Sequence, residues 1–264
     1  MHAVHHYTSV RGALGILECG KLWFTERAHL NDPSEISHGT EIATAILRNQ
    51  GRKDDADHLN SSAQKVFQDF RFFSGSFSFE YDDLHQWQNY GDDGRGVALS
   101  FMASAFGNSK AHIDKYIPGN PTAFACPMSY DADKLRSVIA SVIEAWDGND
   151  VGKLCDHAFV ISSMFKNDCW RSENEYRFFV HSTRETILKS ACYRSRERNG
   201  EIVSYLEIPI QNWNSEDKFP IYQICLGPAA SADLDIQFAD FLFSKGLPSR
   251  IVKSNLPYRS VRKF

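Results

Sequence analysis

The feature that most constrains this chain is the way two periodicities are mixed. Short alternating apolar runs that read as strands are interspersed with i, i+3, i+4, i+7 runs that read as helices, without a regular βα alternation. A doubly wound parallel sheet needs that alternation, so the order of elements predicts an α+β fold with mixed or antiparallel sheets flanked by helices. Val4-His5-His6-Tyr7 reads as an opening strand. A helix follows with Val10, Ala13, Leu14 and Leu17 on one stripe, capped by Thr8 or Ser9 and ended by Gly20. Leu22-Trp23-Phe24-Thr25 reads as a second strand, and Asp32-Pro33-Ser34-Glu35 as a capping-box start for a second helix.

A polar helical stretch is expected over 54–72, a strand over 76–79, and a short helix capped by Asp83 that carries Leu84, Trp87 and Tyr90. The turn 91–96 leads into an apolar strand over 97–101. Leu135, Val138, Ile139, Val142, Ile143 and Trp146 mark the clearest helix, with another from 151 to about 165. Further strands are expected over 175–180, 202–208, 222–226 and 250–254, and a helix through Phe238, Phe241 and Leu242 that stops at Gly246. No repeat or linker divides the chain, so one domain over 1–264 is expected; 264 residues with 42% apolar content suffice for a sizeable core.

A net charge of −4 gives no global attraction to nucleic acid or anionic lipid. Local basic clusters exist: Arg194, Arg196 and Arg198 in one expected loop, and Arg250, Lys253, Arg259, Arg262 and Lys263 near the end. They read as solvated faces, with a polynucleotide acceptor as the alternative. The sequence shows no secretory pattern and no run of roughly 18 apolar residues, which predicts a cytoplasmic protein without a membrane partner. Six scattered cysteines (Cys19, Cys126, Cys155, Cys169, Cys192 and Cys225) read as reduced thiols, a catalytic Cys/His pair being the alternative.

Common nucleotide-loop and hydrolase motifs are absent from the sequence. Three polar patches remain. His6-Tyr7-Thr8-Ser9 leaves a strand where a helix begins, a corner suited to a polyhydroxyl ligand or a phosphate, or simply to a helix cap. Ser76, Ser78, Gln86, Trp87 and Tyr90 can wall a nucleotide pocket, or Trp87 can be core. Glu173, Glu175 and Arg177 share one face if their segment is a strand; the alternatives are a partly buried site and a solvated ion-pair ladder.

The strings HHYTS, ILECGKLWFTERAHLNDPSE, DLHQWQNYGDDGRGVALSF, FKNDCWRSENEYRF and SNLPYR resemble, from Tyr7 to Arg259, a bacterial family known as domain of unknown function 2971. The strand, His-x-Thr/Ser and short helix ending in Gly also resemble the opening of ADP-ribosyltransferases of the diphtheria-toxin and poly(ADP-ribose) polymerase kind. That second resemblance implies NAD as substrate, no metal, and an unknown acceptor (protein, nucleic acid or small molecule). The setting it implies is a toxin or phage-defence effector. His6 then matches the histidine on a ribose hydroxyl and Thr8 the hydroxyl residue two positions on, while Tyr7 stands where that family has glycine. The late glutamate matches Glu175, or Glu173, which orients or deprotonates the acceptor. Arg177 and Arg259 pair the diphosphate or hold the carboxylates, and Ser9, Ser76, Ser78, Trp87 and Tyr90 complete the NAD site. The E-x-E spacing is similar to that of arginine-modifying transferases, whose first motif residue is Arg. Two other functions are weighed: a nucleotide-binding sensor without turnover, and a metal-dependent nuclease or phosphoesterase using Asp32, Glu35, Asp82 or Asp83 with Glu173 and Glu175.

Overall fold

A computed structural model describes residues 2–29, 37–106, 109–198, 200–210 and 220–258. The strands are β1 (Ala3–Thr8), β2 (Lys21–Glu26), β3 (Phe70–Ser78), β4 (Val97–Met102), β5 (Thr122–Pro127), β6 (Glu175–Thr183), β7 (Tyr193–Arg198), β8 (Glu201–Pro209), β9 (Ile221–Leu226) and β10 (Arg250–Lys253). The α-helices are α1 (Val10–Cys19), α2 (His38–Asn49), α3 (Lys53–Asp69), α4 (Leu84–Asn89), α5 (Ser109–Ile113), α6 (Ala132–Ala145), α7 (Val151–Ser162), α8 (Arg184–Lys189) and α9 (Leu234–Lys245). One open sheet runs β10-β9-β4-β1-β3-β2-β8-β7, with β6 on β3 and β5 on β6. Among the described strands only β9 and β10 pair in parallel, so the fold is α+β with a mixed, mostly antiparallel sheet flanked by helices.

Alternation along β3 and β6 separates two cores. Phe73, Phe77, Tyr176, Phe178 and Val180 face one side and pack with Phe24, Phe101, Leu206 and the apolar stripes of α1 and α9. Phe72 and Phe179 face the other side, where α2, α3, α6 and α7 cover them through Leu47, Leu59, Ile139 and Phe159. Each fully buried Phe side chain contributes roughly 2–3 kcal/mol. The helical cover reaches Phe179 and stops. Beyond it, the same sheet face carries Arg177 and Glu175.

Local chemistry sets several element ends. The Ser9 hydroxyl accepts from Gly12 N–H, and Gly20 takes φ 62° to close α1, a left-handed conformation that glycine adopts without a Cβ clash. Asp83 caps α4 by accepting from Gln86 N–H. The expected helix over 54–72 ends at Asp69. Phe70 already pairs with Thr183 in the β3–β6 ladder, because Phe70 and Phe72 alternate with period two. The helix expected to reach 165 ends at Ser162, and Phe165 bridges to Ser129 instead. The expected loop holding Arg194, Arg196 and Arg198 is strand β7, paired residue for residue with β8. The Asp32–Glu35 capping box lies outside the described residues.

Candidate functional site

The site grows out of a fork in the sheet. Along one edge β3 pairs with β6 from Phe70 to Ser78, but along the other it meets β2 only at Ser74 and Phe73, and β1 only at Ser78. Gly75, Ser76 and Phe77 lie where β1 and β2 diverge, and a cavity of about 370 Å³ opens there. His6 reaches across the fork: its Nδ1–H donates to the Ser76 carbonyl at 3.0 Å while its ring packs on Phe77. Burial pushes the His6 pKa down, so the neutral ring is the favoured form. Gly75 permits the fork, since a Cβ there would sit 2.5 Å from Cε1 of the buried Phe24.

Register places a polar stripe on the cavity floor. Ser74, Ser76 and Ser78 alternate with the core residues of β3, and Ser76 stands opposite Arg177, Ser78 opposite Glu175. Glu173 does not share that strand. It is the last residue of a 3-10 helix (Asp168–Glu173), and Asn174 at φ 40° turns the chain into β6. The two carboxylates nevertheless converge on the Lys166 ammonium, 2.5 Å from Glu173 Oε2 and 3.3 Å from Glu175 Oε2. The corner is pinned because the Glu173 carbonyl accepts from Ser78 Oγ at 2.7 Å and Gln86 Nε2 at 3.1 Å. Tyr90 donates its hydroxyl to Glu173 Oε1. Arg177 grips Glu175 with both Nε (2.7 Å) and Nη2 (2.8 Å).

All four charged side chains of this cluster are nearly inaccessible, at 3–6%. A solvated ion-pair ladder is therefore not what the segment forms. Burial alone works against the Glu175 charge, but the Arg177 guanidinium, the Lys166 ammonium and hydrogen bonds from Arg177 and Ser76 outweigh it and hold the pKa at about 2. Glu175 stays ionised at any physiological pH.

Of the residues expected at a ligand site, His6, Tyr7, Thr8, Ser76, Ser78, Tyr90, Glu173, Glu175 and Arg177 line the cavity. Tyr7 packs edge-on against Trp87, donates its hydroxyl to the Glu80 carbonyl and accepts from Asp83 N–H, and burial raises its pKa. Ser9 does not line the cavity; its hydroxyl is the α1 cap. Trp87 is fully buried in a small core with Tyr7, Ala98 and Cys225, its indole N–H donated to Asp82, because its size and apolar body are better accommodated there. Arg259 lies outside the described residues, as do Asp32 and Glu35. Asp82 also accepts from Asn255 N–H, and Asp83 is the α4 cap. Among the described residues no group of three or more His, Cys, Asp or Glu side chains is placed to hold a metal ion.

Sequence reasoning missed Lys166, Ser74 and Trp23 as lining residues, and named Arg196 and Arg198 only as a charge cluster. Ser74 had a legible signal, since serine at every second position begins there rather than at Ser76. Lys166 had none.

These features define a class: an α+β protein whose open sheet forks around a cleft floored by a buried, ion-paired carboxylate pair. Residues 86–178 match the family model of a protein of unknown function, DUF2971. That segment, about a third of the chain, contributes Tyr90, Lys166, Glu173, Glu175 and Arg177 to the cleft. No curated protein and no solved structure matches the chain, and none of these findings bears on the ADP-ribosyltransferase likeness. No helix among the described residues is long and apolar enough to cross a membrane.

Proposed function

We propose that the cleft binds NAD and breaks its nicotinamide–ribose bond, transferring ADP-ribose to an acceptor or to water. The observation that carries the reading is a buried carboxylate held ionised on the floor of a cleft whose charged lining is net positive. Glu173 and Glu175 share the lining with Lys166, Arg177, Arg196 and Arg198, a net charge of two positive in a chain whose total is −4. Such a lining favours an anionic ligand, while the carboxylates at one end favour developing positive charge.

In the proposed reaction the C–N bond to the pyridinium breaks and its electron pair leaves with neutral nicotinamide, so no general acid is needed. The ribosyl centre becomes oxocarbenium-like and is captured by a nucleophile on the acceptor, which loses its proton to solvent. A carboxylate with a pKa of about 2 is suited to electrostatic stabilisation of that cation and unsuited to proton transfer at neutral pH. Glu175 takes this role, Glu173 orients the acceptor, and His6 approaches a ribose hydroxyl from the fork. Arg177, engaged by both Glu175 oxygens, serves as the carboxylate holder.

One observation favours a second reading. Glu175 already accepts from Arg177 twice, from Lys166 and from Ser76, which fits a module that holds a nucleotide without turning it over. Incubation of the protein with NAD, with and without cell lysate, and quantification of free nicotinamide separates the two. Release by wild type, lost in Glu175→Gln and reduced in His6→Ala, supports the enzyme. NAD binding without release supports the sensor, and absence of both overturns the proposal.

A further inference from the structure

Among the described residues, two buried polar side-chain atoms in the cavity lining have no hydrogen-bond partner: the Ser74 hydroxyl and Arg196 Nε. They belong to one continuous sheet face. Ser74 stands opposite Thr25, Thr25 opposite Tyr205, and Tyr205 opposite Arg194, so the odd-numbered partners Trp23 and Thr25 and the arginines at alternate β7 positions project to the same side. On that face the Arg196 guanidinium lies 4.8 Å from the Trp23 ring centroid and 5.5 Å from that of Tyr205, and the two rings lie 4.8 Å apart. Stacking fixes the plane of the guanidinium and leaves its N–H edge free to bind.

Counter-charge is sparse on this face: Glu201, opposite Arg198 in the β7–β8 ladder, is 75% exposed and lies 3.8 Å from His29, and the residue opposite Arg196 is the apolar Val203. Arg194, two residues earlier, is paired with Glu207, which also takes Lys21. Among the described residues neither Arg196 nor Arg198 has a carboxylate within ion-pair distance. Burial and the neighbouring Arg198 both push the Arg196 pKa down, the direction expected of a cation lacking an anion. The other end of the cleft is balanced, Lys166 and Arg177 against Glu173 and Glu175, so the net positive charge of the lining resides on β7.

We infer that Arg196, Arg198 and Ser74 form a diphosphate-binding subsite, with Trp23 and Tyr205 holding the Arg196 fork in place. This deepens the NAD reading by assigning the part of the cleft that takes the two phosphoryl groups, and it relieves Arg177 of that role. Two guanidiniums present two forks, which matches two linked phosphoryl groups, and a lining with two net positive charges matches the charge of a diphosphate diester. The Ser74 hydroxyl supplies a further donor on the floor.

The test uses the full chain and titration calorimetry with ADP, inorganic pyrophosphate and AMP, at low and moderate salt. ADP and pyrophosphate are expected to compete for one site, to bind about tenfold or more tightly than AMP, and to weaken as salt rises. Arg196→Gln and Arg198→Gln are each expected to weaken ADP binding about tenfold, with Arg196→Lys partly restoring it. Arg198 is exposed, so Arg198→Gln keeps the test intact if Arg196→Gln disturbs folding in a thermal melt. Pyrophosphate binding as tight as ADP marks the diphosphate alone as the recognised group; tighter ADP binding marks the nucleoside as a contributor. Both support the subsite. Absence of ADP and pyrophosphate binding, ADP binding unchanged in folded Arg198→Gln, or a single-stranded oligonucleotide that binds more tightly than ADP overturns it. Nicotinamide release plays no part here, so failure of the NAD reaction with ADP binding intact rejects the enzyme and leaves the subsite standing.

Discussion

Lys166→Met isolates the electrostatics of the carboxylate pair. Methionine keeps the apolar stem that lies among buried groups and removes only the ammonium that bridges Glu173 and Glu175. What remains is Arg177 facing two carboxylates, a buried excess of one negative charge. Breaking a buried pair in this way costs about 3–5 kcal/mol at neutral pH. In a chain of 264 residues that lowers the melting temperature by about 5–10 °C. The pH dependence supplies the sharper test. In wild type the Glu175 pKa is held at about 2 against an ordinary 4.5, so its contribution is full above pH 4.5 and is lost as pH falls from 4.5 toward 2. That interval corresponds to about 3 kcal/mol. Without the ammonium, the folded-state carboxylate pKa rises, and the variant relieves its excess charge by taking up a proton in mild acid. The expected result in urea unfolding is a large stability gap at pH 7.5 that narrows by pH 4.5. Equal midpoints at pH 7.5, or a gap that widens on acidification, refutes the reasoning.

Two substitutions test how the chain positions the cleft. Gly75→Ala places a Cβ against the buried Phe24 ring and is expected to cost about 1–3 kcal/mol by overpacking, read as a lower urea midpoint with an unchanged slope. Ser9→Ala removes the acceptor for Gly12 N–H and is expected to cost about 1 kcal/mol, with Ser9→Asp restoring it, both read in thermal melts.

What the sequence discloses about this fold is what short-range chemistry controls. The stripe on α6, the caps at Ser9 and Asp83 and the glycine stops at Gly20 and Gly246 all act within one helical turn, and each stands where its residues imply. Strand β7 is different. Arg194-Ser195-Arg196-Glu197-Arg198 has no apolar face because one of its faces borders the cavity, so it carries no strand periodicity of hydrophobicity and reads as a loop. Its conformation comes from the β8 ladder, a partner that begins only three residues later. The convergence of Glu173, Glu175 and Lys166 is hidden for a related reason. It depends on the left-handed turn at Asn174 and on Tyr130, whose hydroxyl accepts from Glu175 N–H, contacts that no spacing encodes. Period-two reasoning brought the two glutamates together by the wrong geometry. Trp87 illustrates the opposite limit: a large aromatic beside a polar patch looks like a pocket wall, but burial of its ring outweighs that use.

The layout of charge along the sheet face constrains the proposed chemistry further. A dinucleotide with a diphosphate and a pyridinium has opposite charges at separate places, and the cleft has an unbalanced positive end at β7 and a self-neutral end at β6. On the proposed reading this fixes the direction of binding, diphosphate toward Arg196 and Arg198, pyridinium toward Glu175. It also sets a condition on turnover. A carboxylate whose charge is already met by Arg177 and Lys166 stabilises a developing ribosyl cation only to the extent that the cation competes with those partners. Catalysis therefore requires the Glu175 field to be redirected when the ligand enters, through a shift of Arg177 or Lys166 away from it. Without such a shift the same residues form a rigid polar floor under a bound nucleotide, and the protein senses rather than transforms it. The two cases differ in what Glu175→Gln does to ADP affinity and to nicotinamide release. An enzyme loses release far more than affinity; a binding module has no release to lose.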